Sequence, residues 1–160
     1  MKTEEKRKTS MPGLTYEQFE VGAVFNHELT RTITEADNTF FSCLTHNPQP
    51  LHIDHHFAAE TEWGRPLVNS LFTLGLMIGV SVSDTTLGTT VANLGMTEVK
   101  FPAPVFHGDT LHCRTTVDAM RESRSKPDVG IVTFRHEAFN QDDVLVATCL
   151  RQAMMRKGAK

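Results

Sequence analysis

Cysteine is scarce in this sequence, and the features that mark secreted chains are missing with it. Three cysteines occur in 160 residues, Cys43, Cys113 and Cys149. Their number is odd and no close CxxC pair is present, so a disulfide framework is not expected. The first residues, Met-Lys-Thr-Glu-Glu, lack the apolar core of a signal peptide. We therefore expect a cytoplasmic protein.

Long apolar runs and an excess of positive charge are also absent. The most apolar stretch, residues 67–82, is shorter than the roughly 20 residues that span a bilayer and contains polar side chains, so no membrane association is expected. Lys and Arg number 16 against 19 Asp and Glu, which gives a net charge of -3. Because nucleic-acid binding requires clustered cations that neutralise phosphates, we expect no nucleic-acid partner.

The composition that remains is that of one ordinary globular domain. Apolar residues make up 39% of the chain and charged residues 22%. A chain of this length can bury a substantial core. Residues 1–12 are polar and lack periodicity, which predicts a disordered N-terminal arm. The folded domain is expected to span residues 13–156.

The segment after the arm predicts a strand followed by a capped helix. Residues 25–33 alternate loosely between apolar and polar side chains, as a strand does. Thr34, with Asp37 three residues later, has the form of a helix N-terminus. The helix is expected to end near Thr45, because Pro48 disfavours helical backbone in the residue before it. Its predicted apolar face comprises Ala36, Phe40, Phe41 and Leu44.

Two further helices are predicted before the chain changes character. Residues 46–53 are predicted to be irregular, and Asp54 is a suitable cap for a short helix that extends to about residue 61. Pro66 stands at the first turn of a long apolar helix over residues 67–83. Because apolar side chains recur around this helix, we expect it to be buried on nearly every side.

The second half of the sequence predicts four successive strands and, with them, the α+β class. The strands are expected at residues 89–101, 110–120, 129–140 and 144–155. In the second strand one face is expected to hold Leu111, Cys113, Thr115, Val117 and Ala119. An antiparallel sheet wrapped around one long central helix accounts for this order of elements. Such a sheet leaves an edge strand uncovered, so we expect a homodimer or a larger assembly of dimers.

One segment, from Leu44 to Asp54, combines two prolines, an amide and two imidazoles between predicted helices. A stiff loop that presents such groups is typical of sites with positioned acids and bases. Its second half, Pro50-Leu51-His52-Ile53-Asp54, resembles the hydratase motif of the MaoC-like (R)-specific enoyl-CoA hydratase/dehydratase family. Two later stretches carry the same resemblance, Gly64-Arg65-Pro66-Leu67-Val68 and Phe101-Pro102-Ala103-Pro104-Val105 with Gly108-Asp109.

The resemblance covers about residues 14–155 and implies a single hot-dog fold, an antiparallel sheet wrapped around a long central helix. It also implies an enzyme that adds water reversibly across the C=C bond of an enoyl-CoA thioester. The stretches Asn47-Pro48-Gln49-Pro50-Leu51-His52 and Asn93-Leu94-Gly95-Met96 are similar to the branch that acts on C5 dicarboxylic substrates, itaconyl-CoA and mesaconyl-CoA. No cofactor is implied beyond the coenzyme A of the substrate.

The resemblance assigns roles to individual residues. His52 matches the catalytic histidine that holds and deprotonates the attacking water, a task for which imidazole is suited near neutral pH. Ser70 matches the residue whose backbone N–H, at the start of the central helix, meets the charge on the thioester oxygen. Arg65 is a candidate partner for a substrate carboxylate or a coenzyme A phosphate, or equally a surface ion pair. The other expected substrate-binding residues are Asn69, Leu94 and Gly95.

Asn47 departs from the family pattern, which places a catalytic aspartate five residues before the histidine. An amide cannot exchange a proton as a carboxyl group does. In the preferred interpretation Asn47 orients water while His52 moves the proton, with the substrate's own carboxylate assisting. Alternatively, Asp37 or Asp54 folds into the site, or the hydratase activity has been lost.

Other functions fit fewer of these residues. The histidines at positions 46, 52, 55 and 56 suggest a zinc site, but neither an HExxH pattern nor a Cys partner accompanies them, so no metal is expected. A hot-dog thioesterase generally uses a carboxylate on or near the central helix, and this helix has none before Asp84. A non-catalytic acyl-thioester-binding module would explain Asn47 and is a third hypothesis. A dehydratase for acyl-carrier-protein substrates also stays open.

Overall fold

Four long antiparallel strands and one helix packed across them form the fold. The computed structural model describes residues 13–158, so the arm predicted over residues 1–12 lies outside the described residues. In chain order the elements are β1 (Val24–Asn26), β2 (Arg31–Thr32), α1 (Glu35–Leu44), α2 (Pro50–Ile53), α3 (His55–Ala59), α4 (Ser70–Thr85), β3 (Thr90–Lys100), β4 (Thr110–Glu122), β5 (Val129–Phe139) and β6 (Leu145–Arg156).

The strands form one sheet in the order β1-β4-β5-β6-β3, and β2 is also paired with β4. All of these pairings are antiparallel. Helix α4 contacts β4, β5 and β6, so the core lies between this helix and the sheet. The predicted α+β architecture is therefore confirmed. Within residues 13–158, no helix combines the length and the apolar character needed to cross a bilayer.

The four long strands are confirmed, each within two residues of its predicted ends. In β4 the inward alternation holds for Leu111, Cys113, Thr115 and Val117, all of which are buried. Ala119 is the exception, because the pairing of β4 with β5 shifts register between Val117 and Ala119. The bulge moves Ala119 out of the buried row and leaves it exposed.

The single strand predicted over residues 25–33 is wrong, because the segment forms two short strands, β1 and β2. From Asn26 to Arg31 the chain advances five residues, while the paired step along β4, from Arg114 to Leu111, covers three. The two extra residues bulge out of the ladder. His27 still pairs with β4, since its N–H donates to the Cys113 carbonyl at 3.1 Å, so the extra residues follow it. Its side chain is buried and contacts Asp84 and Thr115.

Helix α1 confirms the predicted cap but not the predicted buried face. The Thr34 hydroxyl accepts a hydrogen bond from the Asp37 N–H at 3.2 Å, and the Asp37 carboxylate accepts one from the Thr34 N–H at 2.8 Å. The buried residues of the helix are Asn38 and Ser42, whereas Phe40 is 67% exposed. The helix therefore turns polar side chains inward, and its apolar face lies on the surface of the single chain.

The prediction that residues 46–53 are irregular is wrong for their second half, because Pro50 begins the short helix α2. Proline suits this first position, where its missing N–H removes no helical hydrogen bond. Asp54 caps α3 as predicted, accepting a hydrogen bond from the Phe57 N–H at 3.0 Å. Helix α3 ends at Ala59, two residues earlier than predicted.

The central helix α4 begins at Ser70, three residues later than predicted. Leu67 and Val68 are held instead by backbone hydrogen bonds, from the Leu67 N–H to the Leu51 carbonyl at 3.0 Å and from the Val68 N–H to the Val105 carbonyl at 2.9 Å. The prediction that this helix is buried on nearly every side is wrong for the single chain. Met77 is buried against the sheet, but Leu71 is 58% exposed on the opposite face.

Candidate active site

His52 lies on α2 with its ring fixed at one nitrogen and free at the other. Its Nδ1 atom is 2.9 Å from the carbonyl oxygen of Leu67. A carbonyl oxygen can only accept, so Nδ1 carries the hydrogen and donates it, and the neutral ring keeps its lone pair at Nε2. Nε2 makes no hydrogen bond within residues 13–158, and the side chain is half-buried. This nitrogen is free to accept a proton.

Asn47 lies at the entry to α2, where its side chain shapes the turn. Its Oδ1 atom accepts a hydrogen bond from the Gln49 N–H at 3.1 Å, and its own N–H donates to the Ser42 carbonyl at 2.9 Å. The residue before it, His46, has a φ of 53°, in the left-handed region. The side-chain nitrogen of Asn47, Nδ2, has no hydrogen-bond partner in the described part of the chain. It is therefore available to a water or a substrate.

Both carboxylates considered as substitutes for the missing aspartate cap helices instead. Asp37 accepts hydrogen bonds from the N–H and the hydroxyl of Thr34 and lies 2.8 Å from Arg31. The backbone hydrogen bond from Thr34 is the main cause that lowers the pKa of Asp37. Asp54 caps α3 through its Oδ1 atom. The interpretation in which Asp37 or Asp54 folds into the site is not supported by this arrangement.

The start of α4 presents backbone N–H groups that have no partner in the described chain, and that of Ser70 is one of them. Asn69 is buried, and its Oδ1 atom accepts a hydrogen bond from the Leu71 N–H at 3.0 Å, which makes it the N-cap. The N–H of Ser70, between the two, has no acceptor among residues 13–158. An unpaired N–H at the positive end of a 16-residue helix is a suitable donor to a negatively charged oxygen.

A cleft of about 270 Å³ opens beside this helix start. Ser70 lines it, together with Leu67, whose carbonyl holds the His52 ring, while His52 itself is not part of the lining. Within the described chain the lining carries no charged side chain. The remaining lining residues are Trp63, Val68, Thr73, Phe101, Pro102, Ala103, Pro104, Val105 and Val146.

Of the five predicted substrate-binding residues, only Ser70 lines this cleft in the single chain. Arg65 is exposed, and its guanidinium lies 3.9 Å from the centre of the Phe106 ring, next to the cleft residue Val105. Leu94 and Gly95 are exposed on β3, the last strand of the sheet, and neither lines the cleft. Leu67 therefore connects the His52 ring to the cleft that Ser70 also lines, whereas Asn69, Leu94 and Gly95 do not line it.

Sequence reasoning missed two residues beneath the site, Asn38 and His107. Asn38 is fully buried, and its side chain bonds the backbone of both His52 and Asn69. Nε2 of His107 lies 3.0 Å from the Asn38 Nδ2 atom, and burial lowers the pKa of His107. No local signal identified the first, because its neighbours in the helix, among them Asp37, Thr39 and Ser42, are polar as well. The second was overlooked because it precedes the turn at Gly108.

The structure groups different potential metal ligands from those considered in the sequence. Ligand atoms of Glu35, His55 and His107 lie within 4.8 Å of one another. The first two already form an ion pair of 2.9 Å at the surface. In the described part of the chain His46, His52 and His56 join no such group.

Comparison with protein families gives one match that covers most of the chain. The model described as MaoC like domain matches residues 17–138. The beta-methylmalyl-CoA dehydratase of Chloroflexus aurantiacus is 32% identical over 91% of this chain, and the mesaconyl-CoA hydratase of Cereibacter sphaeroides is 30% identical over 91%. The chain spans only 41% and 42% of these two relatives. It spans 84% of the (R)-specific enoyl-CoA hydratase of Aeromonas caviae, which is 31% identical over 75% of this chain.

Solved structures show the same similarity in three dimensions. A protein from Archaeoglobus described as a monoamine oxidase regulatory protein superposes with a TM-score of 0.81 at 32% identity, covering 92% of this chain and 97% of its own. RV0216 from Mycobacterium tuberculosis, described as having a double hotdog fold, gives a TM-score of 0.84 at 25% identity, with coverage of 93% and 46%. The predicted hot-dog fold is confirmed.

Proposed function

Because the chain belongs to the MaoC-like domain family, we propose that it is an acyl-CoA hydratase/dehydratase, a lyase that adds water reversibly to the C=C bond of an enoyl-CoA thioester. One observation carries the proposal. The carbonyl of Leu67 fixes the His52 ring with Nε2 free, and three residues later Ser70, which lines the cleft, has a backbone N–H without an acceptor in the described chain. One short stretch of backbone, residues 67–70, thus orients the base and supplies the oxyanion donor.

The proposed reaction uses these two groups in sequence. His52 Nε2 takes a proton from water as the water oxygen bonds to the β-carbon, and electrons move through the C=C bond onto the thioester oxygen. The Ser70 N–H, aided by the helix dipole, stabilises the negative charge on that oxygen. His52 then returns the proton to the α-carbon, so one water is added across the double bond. The reverse sequence removes it, and no metal or further cofactor takes part.

Asn47 is proposed to orient the attacking water without exchanging a proton. The free Nδ2 atom of its half-buried side chain supports this role, since it can donate a hydrogen bond to a water oxygen. His52 then carries both proton transfers alone, or with help from a carboxylate on the substrate.

The proposed substrate is a C5 dicarboxylic enoyl-CoA, itaconyl-CoA or mesaconyl-CoA. Support comes from the mesaconyl-CoA hydratase and the beta-methylmalyl-CoA dehydratase among the relatives. The cleft lining offers no cation for the free carboxylate. Arg65, stacked on Phe106 beside the cleft, is the proposed partner for that carboxylate or for a coenzyme A phosphate.

A substrate panel tests the function. Itaconyl-, mesaconyl- and crotonyl-CoA are each incubated with the full chain, and absorbance at the enoyl-thioester band is followed over time. We expect hydration of at least one dicarboxylic substrate, with Arg65→Ala weakening those substrates more than crotonyl-CoA. Release of free thiol without loss of the double bond would instead identify a thioesterase. Binding of all three without turnover would identify a non-catalytic module.

We propose that the chain acts as a homodimer in the cytoplasm, with no nucleic-acid partner. Among residues 13–158, strand β3 has no second neighbouring strand, and it exposes apolar side chains, including Leu94 and Val99. Pairing of β3 with a second copy would cover this edge, and Leu94 and Gly95 could then border the coenzyme A of a bound substrate. Sedimentation velocity should show a dimer, and Leu94→Lys should shift it towards the monomer.

A further inference from the structure

Asn38 is a fully buried amide that lies beneath both halves of the proposed site. Its Nδ2 atom lies 2.9 Å from the carbonyl oxygen of His52 and 3.0 Å from that of Leu67. Its Oδ1 atom accepts a hydrogen bond from the Asn69 N–H at 2.8 Å. One side chain of helix α1 therefore bonds three backbone groups that are distant from it in sequence.

These partners determine which way the amide points. The two carbonyls can only accept hydrogen bonds and the Asn69 N–H can only donate one, so nitrogen and oxygen cannot be exchanged. Only an amide offers two donor hydrogens and an acceptor in this space. The third neighbour of Nδ2, Nε2 of His107 at 3.0 Å, must share one of the two hydrogens and acts as an acceptor.

The carbonyl of Leu67 connects this amide to the ring of His52. Its oxygen accepts from both Asn38 Nδ2 and His52 Nδ1. The acceptor that keeps the hydrogen on Nδ1, and so leaves Nε2 free, is therefore itself held by Asn38. On the other side, the Asn69 N–H donates to Asn38 immediately before Ser70, the cleft residue whose N–H is the proposed oxyanion donor.

We propose that Asn38 is a positioning residue that fixes the distance and orientation between the His52 ring and the Ser70 N–H. This inference rests on the proposed hydratase function. Asn38 does not touch the substrate, since its polar atoms are consumed by the backbone and by His107 and its side chain is wholly buried. It acts by holding the base and the oxyanion donor in one geometry.

The test compares Asn38→Asp and Asn38→Ala with a matched control, Ser42→Ala. Aspartate has nearly the same shape but cannot donate to the two carbonyls, and alanine removes every contact. Ser42 lies one turn further along α1, is equally buried, and its hydroxyl has no hydrogen-bond partner in the described chain. We expect both Asn38 variants to lower kcat about 10- to 100-fold per folded molecule, with a smaller change in KM, because slight misplacement of reacting groups is costly. Ser42→Ala should keep both constants.

A second measurement reports on the His52 ring directly. Nitrogen-15 NMR of the full chain should show the Nδ1–H tautomer of His52 in the wild type and a mixture of tautomers in Asn38→Ala. The folded fraction is measured by circular dichroism, so that turnover is expressed per folded molecule. If activity falls only in proportion to lost folded protein, complete unfolding included, Asn38 is merely structural and the proposal is wrong. An Nε2–H tautomer in the wild type would also overturn it.

Failure of the hydratase function gives a different result. In that case the wild-type chain hydrates none of the panel substrates, or His52→Ala retains full turnover. Failure of the Asn38 proposal alone leaves an active wild type and an inactive His52→Ala variant, with Asn38→Ala and Asn38→Asp as active per folded molecule as the Ser42→Ala control.

Discussion

Two histidine networks lie inside this protein, and they differ in how many ring nitrogens are occupied. The first, which we call the closed chain, connects Asp84, His27, Thr115, His136 and Arg151. The ring of His27 lies 2.7 Å from Asp84 and 2.8 Å from the Thr115 hydroxyl. The ring of His136 lies 2.8 Å from that hydroxyl and 3.1 Å from Arg151 Nε. No ring nitrogen in the closed chain is free.

The second network, around His52, leaves one ring nitrogen open. Asn38 donates to the His52 carbonyl, and the Leu67 carbonyl accepts from His52 Nδ1. Nε2 of His52 has no partner in the described chain. A buried ring with both nitrogens bonded to protein groups has no nitrogen left for a water or a substrate. A half-buried ring with one nitrogen fixed and one free can exchange a proton with water. The difference indicates which histidine supports chemistry and which supports structure.

The donors in the closed chain all point the same way. Arg151 Nε can only donate, so Nε2 of His136 accepts and its Nδ1–H donates to Thr115. The Thr115 hydroxyl then donates to Nε2 of His27, whose Nδ1–H donates to Asp84. This direction satisfies every group between a buried guanidinium and a half-exposed carboxylate. A conventional ion pair with Arg151 is absent among residues 13–158; its Nε donates to His136, and its guanidinium lies 5.4 Å from the centre of the Phe134 ring.

The closed chain also divides the core. Its members Thr115, His136 and Arg151 are buried on neighbouring strands β4, β5 and β6. One apolar cluster includes Leu111, Cys113, Ala138 and Cys149, and the other includes Val117, Phe134, Ala153 and Met155. The polar row lies between them in the order of the strands, so it contributes to stability away from the cleft.

Removing the His52 imidazole, whose Nε2 is free, should give the largest effect, and that effect should be on turnover rather than on stability. We expect His52→Ala to lower turnover of the best panel substrate at least about 100-fold, the low end for loss of one general base. The free energy of unfolding should change by only about 1 kcal/mol, because a single hydrogen bond is lost. The matched control is His56→Ala on the adjacent helix, where the side chain is 90% exposed. Equal turnover in the two variants would contradict the comparison.

Removing a ring from the closed chain should lower stability and leave turnover unchanged. His136→Leu leaves Arg151 Nε and the Thr115 hydroxyl without one partner each, which should lower the free energy of unfolding by about 1–3 kcal/mol. Turnover per folded molecule should stay at the wild-type level. Urea denaturation measures the first quantity and the panel assay the second. A stable His136→Leu variant that has lost turnover would place the closed chain in the catalytic machinery.

The sequence predicts the features that depend on local spacing and fails for those that depend on long-range contact. The long strands follow from a period of two, and the cap at Thr34 from a three-residue pattern. Asn38, by contrast, meets groups 14, 29 and 31 residues away, and His27 meets Asp84 and Thr115 at 57 and 88 residues. Nothing local distinguishes such a residue from a surface one. His52 was found because its loop motif is itself local, although its tautomer depends on Leu67, 15 residues away.

Acidification should reveal the closed chain by a smaller, graded effect on stability. Burial, with Arg151 and then His27 adding to it, lowers the pKa of His136 from its ordinary value of 6.5 to about 3. Between these values the unfolded chain binds a proton that the folded chain excludes. The contribution of His136 to the free energy of unfolding is therefore fully present above about pH 6.5 and is lost as the pH drops towards 3. Burial lowers the pKa of His107 as well, so that group acts in the same direction.

The upper part of this window separates the histidines from the carboxylates. The pKa values of Asp37 and Glu17 are lowered in the folded chain from ordinary values of 3.8 and 4.5. These two carboxylates therefore affect stability mainly below about pH 5. Urea denaturation from about pH 7 to about pH 5 should therefore show a decline in the wild type and in Ser42→Ala, and a flatter curve in His136→Leu. If His136→Leu declines as steeply as the wild type, the ring is not held neutral by its burial. The contrast between a closed and an open imidazole would then lose its electrostatic basis.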